Sequence, residues 1–137
     1  MPDPVLYILM RSDMASLNPG KAMAQAAHAA NQMVYEAFSG KANSKTISAV
    51  EKWQKQANGF GTTIVLDVGG EYDLQTLMVQ FDMSSNNSDF FYNITVDPEY
   101  PLVDGEFIHQ IPNVPTCGYV FSPAGRCVEL DHLELYR

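Results

Sequence analysis

Basic residues are scarce in this chain. Eight lysines and arginines stand against sixteen aspartates and glutamates, and the formal charge is −8. A protein so acidic repels nucleic acid at long range, so any phosphate-binding role must rest on where its few cations are placed. Cysteine is scarcer still. Cys117 and Cys127 form neither a disulfide framework nor a metal-ligand pattern, and they are read as buried thiols of a reducing compartment. Long apolar runs are missing too. The longest, around residues 62–68, is far too short to span a bilayer, so no membrane association is expected. Met1-Pro2-Asp3-Pro4 lacks the basic start of a signal peptide, and a cytoplasmic location is expected. No Gly-x-Ser-x-Gly elbow, P-loop or dinucleotide fingerprint occurs, and neither His109 nor His132 has metal-ligand spacing.

What is present alternates along the chain. Residues 5–11 (VLYILMR) read as a buried strand. Asn18-Pro19-Gly20 opens a helix, with Asn18 as N-cap and Pro19 suited to the first helical position. That helix is expected to run to about Phe38, with Gly40 just past its end. A second helix is expected over 44–57 and a second strand over 62–68. After Gly69-Gly70, the spacing of Leu74, Leu77, Met78 and Phe81 predicts a third helix, followed by a polar loop over 84–89. Residues 90–96 (FFYNITV) and 116–121 (TCGYVF) read as a third and a fourth strand. They are separated by an inserted hairpin or loop, and the stretch 127–136 is ambiguous. No repeat or linker divides the chain, so residues 1–137 are expected to form a single domain. It would be an α/β three-layer sandwich with a small mixed four-stranded sheet and helices on both faces.

The first helix carries the functional signal. At about 100° per residue, Met23, Ala26, Ala30, Met33, Val34 and Ala37 fall on one side, expected to pack on the sheet. Lys21, Gln25, His28 and Gln32 form a narrow stripe on the other. A solvated face normally mixes Glu and Lys; this one has a lone cation in the first turn and then amides and an imidazole. The helix dipole already puts partial positive charge at that turn, so an added ammonium makes a spot that attracts an anion. A surface lysine on a solvated polar face is the plainer reading, and spacing does not separate the two.

Gly20-Lys21-Ala22-Met23-Ala24-Gln25-Ala26-Ala27-His28-Ala29-Ala30 closely resembles the motif that opens the first helix of type 2 peptidyl-tRNA hydrolases. Ile8-Leu9-Met10-Arg11-Ser12-Asp13 is similar to that family's first strand and turn. The family's second signature, a strand ending in Asp-Ala-Gly followed by Thr, is not kept intact; its preferred counterparts here are Asp97 after FFYNITV and Thr116, with Asp104 of Val103-Asp104-Gly105 as the rival aspartate. Either aspartate is also ordinary turn chemistry before Pro or Gly.

The resemblance implies hydrolysis of the ester joining a peptide, or an N-blocked amino acid, to tRNA, with no cofactor or metal. Such an ester needs a positioned water, a base and positive charge near the carbonyl oxygen. Lys21 would stabilise the oxyanion or the ribose-phosphate end, Asp97 (or Asp104) would orient water or Lys21, and Thr116 would hold the substrate through its hydroxyl. Asp13, Gln25 and His28 are candidate substrate contacts, although His28 reads more readily as a half-buried structural histidine. For a tRNA partner, Lys41, Lys45, Lys52 and Lys55 share one face of the second helix, opposite Ile47, Val50 and Trp53, with Lys45 and Lys52 as candidate phosphate contacts. The alternative is a non-catalytic RNA- or protein-binding module on the same fold; a homodimer is compatible with either reading.

Overall fold

The computed structural model describes residues 2–84 and 90–137. Strands β1 (Val5–Arg11), β2 (Thr63–Gly69), β3 (Phe91–Asp104) and β4 (Phe107–Ser122) form one sheet in the order β2-β1-β4-β3. β1 pairs parallel with β2 and antiparallel with β4, and β3 pairs antiparallel with β4, so the sheet is mixed. The helices are α1 (Pro19–Glu36), α2 (Ser44–Lys55) and α3 (Glu71–Met83).

β1 is central, and its run of apolar residues serves both faces. Leu6, Ile8 and Met10 pack with α1 and α2, while Tyr7 and Leu9 pack with α3 and the chain after β4. Trp53 of α2 meets Phe121 edge to face on the first side. On the second, Gly118 lets α3 come close, since a Cβ there would sit 2.8 Å from Met78 Cε. The three-layer arrangement follows. No helix among the described residues is long and apolar enough to cross a membrane.

The end of the first helix is as expected: α1 proper runs to Glu36, helical backbone continues to Phe38, and Gly40 just beyond adopts a φ of 88°, a left-handed conformation that glycine tolerates. Two expectations need correction. α2 stops at Lys55, because the chain turns through Asn58 and Gly59 with positive φ. β3 and β4 do not stop at 96 or begin at 116. They continue as a paired ribbon to a turn at Gly105, so the expected insertion is an arm grown from the sheet itself. Backbone pairing sustains it, although Val103, Phe107 and Ile108 near its tip are exposed. Most of the polar loop expected over 84–89 lies outside the described residues. The ambiguous tail holds a single helical turn, Val128–Leu130, and a bridge from Leu135 to Leu66.

The expected packing side of α1 is corrected in part. Met33 and Ala37 are buried and Ala26, Ala30 and Val34 pack against the core as expected, but Met23 is 69% exposed, and Ala22, Gln25, Ala29 and Glu36 are buried. Alanine at so many positions leaves the apolar side weakly defined, and the polar stripe, apart from the exposed His28, finds partners on the sheet. Lys21 reaches Pro101, Gln25 reaches Asp97, Gln32 reaches Ile94 and Glu36 reaches Asn93, each on β3. The stripe is a hydrogen-bonded seam running antiparallel along the edge strand.

Candidate functional site

Asn18 caps α1 by accepting a hydrogen bond from the Lys21 backbone N–H at 3.0 Å, which fixes the first turn. The Lys21 side chain is half-buried. Its Nζ donates to the Pro101 carbonyl at 2.6 Å and lies 5.0 Å from the centroid of the Tyr100 ring. One turn on, the Gln25 amide is used at both ends: Nε2 donates to Asp97 Oδ2 at 2.7 Å, and Oε1 accepts from the Thr116 hydroxyl at 2.8 Å. The other Asp97 oxygen accepts from the Glu99 backbone N–H at 2.9 Å. Thr116, Gln25 and Asp97 thus form a chain in which each member fixes the orientation of the next.

A β-bulge builds this chain. Thr95 pairs with Cys117 and Val96 with Pro115, so Thr116 is an extra residue in β4. Strict alternation would send Thr116 to the face opposite Cys117. The bulge turns it toward α1, where its hydroxyl meets Gln25 while the Cys117 thiol lies 3.6 Å from the Gln25 carbonyl. Arg11 holds the strand just before the bulge, donating from Nη1 to the Pro115 carbonyl at 2.7 Å.

Gln25, His28, Gln32, Thr95, Asp97 and Glu99 line a cleft of about 510 Å³ together with Val96 and Pro98. Asp97 lines this cleft, and Lys21 stands one turn before Gln25 on the same helix. That arrangement can stabilise developing negative charge and orient a water without a bound cofactor.

The sequence candidates divide as follows. Gln25, Asp97 and Thr116 are joined by hydrogen bonds, while Lys21, one turn earlier on α1, reaches Pro101 and Tyr100. His28 is exposed on the cleft wall. Thr116 is fully buried and its hydroxyl donates to Gln25, so it is not placed for the expected direct hold on a substrate. Asp13 is taken by Arg11 through two 2.9 Å hydrogen bonds, and the guanidinium holds its carboxyl below the usual aspartate range. Asp104 stands on the exposed arm, 3.9 Å from His109 and apart from the Gln25 chain. Lys45 and Lys52 are exposed on α2, with Lys52 paired to Asp3 at 3.2 Å. Burial pushes the Cys117 thiol up to about 11 and that of Cys127 up to about 12, so neither is a nucleophile at neutral pH.

Tyr100, Pro101 and Arg11 were not singled out as site residues. Arg11 carries a signal, since a cation closing a buried strand must find partners. Tyr100 and Pro101 carry none, because nothing local shows that the chain after Asp97 returns over the start of α1.

Fold and site define an α/β sandwich protein with a cationic centre at the mouth of its first helix. A family model described as peptidyl-tRNA hydrolase PTH2 matches residues 4–93, and the chain belongs to that family. The matched stretch contains Lys21, Gln25 and His28; Asp97 and Thr116 lie beyond it. No match was found among curated proteins.

Proposed function

We propose that the chain hydrolyses the ester between a peptide, or an N-blocked amino acid, and tRNA. The observation that carries this reading is the Thr116–Gln25–Asp97 chain beside Lys21, in a member of a peptidyl-tRNA hydrolase family. In the proposed reaction the ester lies across the start of α1 with its acyl group toward the polar cleft. Asp97, with one oxygen held by Gln25 and the other by the Glu99 amide, orients water for attack on the carbonyl carbon. Negative charge then builds on the carbonyl oxygen, and the Lys21 ammonium and the positive end of the α1 dipole meet it. The attacking water loses a proton as its oxygen bonds to the carbonyl carbon. Collapse then breaks the bond to the ribose oxygen, which takes up that proton and leaves as a hydroxyl, with the acyl group released as a free carboxylic acid. The lysine-bearing face of α2, on the same side of the sheet as α1, supplies phosphate contacts that an acidic chain otherwise lacks. The location that goes with this reading is the cytoplasm.

The test is release of the acyl group from N-acetyl-aminoacyl-tRNA by purified protein in the presence of chelator. The expected result is turnover by wild type and a loss in kcat of about 100- to 1,000-fold in Lys21→Ala, the size seen when one oxyanion partner is removed. Absence of turnover by clean, folded wild type overturns the proposal. One observation favours a second reading, a binding module without catalysis: most of the β3–β4 arm lies outside the residues that the family model matches. On that reading, Lys21→Ala abolishes capture of a partner although acyl release never occurs.

A further inference from the structure

One strand positions both sides of the candidate chemistry. β3 carries Asp97, and three residues on it carries Tyr100 and Pro101, which receive the Lys21 ammonium. The Tyr100 ring has little freedom. It is 3% exposed, packs in the core on the α1 side, and sits opposite Ile111 in the ladder. Its hydroxyl shares a 3.0 Å hydrogen bond with Ser16 in the connection between β1 and α1. The Lys21 backbone is equally fixed by the Asn18 cap. An exposed lysine samples many rotamers, and each one away from the reacting carbonyl loses stabilisation of the oxyanion. Here a carbonyl and an aromatic face both attract the ammonium and hold it at one place. The remaining N–H bonds are left to meet an incoming oxygen.

We infer that Tyr100 is a positioning residue for this site: its ring face, with the Pro101 carbonyl, aims the Lys21 ammonium at the carbonyl oxygen of the substrate. The inference rests on the hydrolase reading for its use, but the hold on Lys21 is measurable without activity. It also gives the base of the arm a purpose, since lengthening β3 beyond Asp97 is what brings Tyr100 and Pro101 over the start of α1.

The experiment uses the full chain with Tyr100→Phe, Tyr100→Leu, and a Tyr100→Phe series bearing one, two and three ring fluorines, which drain charge from the ring face at nearly constant shape. Turnover of N-acetyl-aminoacyl-tRNA, Tm, and the NMR shifts of the Lys21 side-chain methylenes are recorded. Tyr100→Phe is expected to keep kcat within about twofold, and Tyr100→Leu to lose roughly tenfold in kcat with little change in KM. Along the fluorinated series kcat falls stepwise at constant Tm, a pattern that a purely packing role does not produce. The Lys21 methylene signals are shifted upfield by the ring in wild type and in Tyr100→Phe, and return to ordinary lysine positions in Tyr100→Leu. A flat kcat along the fluorinated series overturns the inference, and so do unshifted Lys21 signals in wild type. Should wild type show no turnover, the hydrolase reading fails by itself and the NMR shifts alone decide whether Tyr100 holds Lys21.

Discussion

The two ends of the seam between α1 and β3 are built from similar side chains and do different work. At the C-terminal end, the buried Glu36 carboxylate accepts from Tyr119 at 2.8 Å, from Asn93 at 3.0 and 3.1 Å, and from Gln32 at 3.0 Å, and pairs with Lys41 at 3.2 Å. Its partners surround it and little is left for a ligand. At the N-terminal end, Lys21, Gln25 and Asp97 are also oriented by partners, yet the lysine is only half-buried and the aspartate lines a cleft. Enclosure on every side makes a structural tie. The same chemistry left open on one side makes the candidate site.

The sharpest way to break this comparison is to remove one residue from each end. Lys21→Ala is expected to cost the hundredfold or more in kcat described above while Tm stays nearly unchanged. Glu36→Ala should do the reverse, lowering stability by about 2–3 kcal/mol because the fully buried Tyr119 hydroxyl is left without its acceptor. Denaturant unfolding beside the acyl-release assay reads both, and a Glu36→Ala protein of wild-type stability would erase the distinction.

A smaller effect concerns acid. Burial alone pushes Glu36 up, but the hydrogen bonds from Tyr119, Asn93, Lys41 and Gln32 together outweigh it, so its carboxyl titrates below the usual glutamate value of 4.5. A group depressed on folding adds stability above its unfolded pKa and loses it as pH falls through the folded value. Glu36→Gln should therefore flatten the decline of Tm below pH 4.5, and an unchanged acid limb would show that Glu36 contributes no such linkage. The Tyr119 phenol moves the other way, raised by burial and by its bond to Glu36, and stays protonated throughout that window.

The smallest expected effect lies outside the seam. Lys45→Glu with Lys52→Glu should weaken tRNA binding and make its logarithmic salt dependence shallower by about two phosphate contacts. Folding should hardly change, because the Lys52–Asp3 pair is exposed. Unaltered affinity would remove α2 from the proposed interface.

The strands and helices were legible because their signals are local: the apolar run of β1, the Asn18-Pro19 start of α1, and the spacing of Leu74, Leu77, Met78 and Phe81 in α3. The polar stripe on α1 was legible as a set but not in its direction. An amide is read as solvent-facing until a partner is known, and those of Gln25 and Gln32 lie some 60 to 90 residues away. Lys21 stood out by its place in the motif. Asp97 was preferred to Asp104 only by its place at a strand end, since both lie beside turn-forming residues; in the β3–β4 ribbon Asp97 meets Gln25 of α1, whereas Asp104 lies beside the turn at Gly105.

Composition, periodicity and the Gly20–Ala30 motif by themselves determined an α/β sandwich with a lysine at the start of its first helix. Only the tertiary structure decided that a bulge would turn Thr116 toward Gln25, and that β3 would run on to bring Tyr100 and Pro101 against Lys21. The physical reason is range. Helix and strand propensities act over a few residues, whereas the register between strands and the side chains it brings together depend on pairings made across most of the chain.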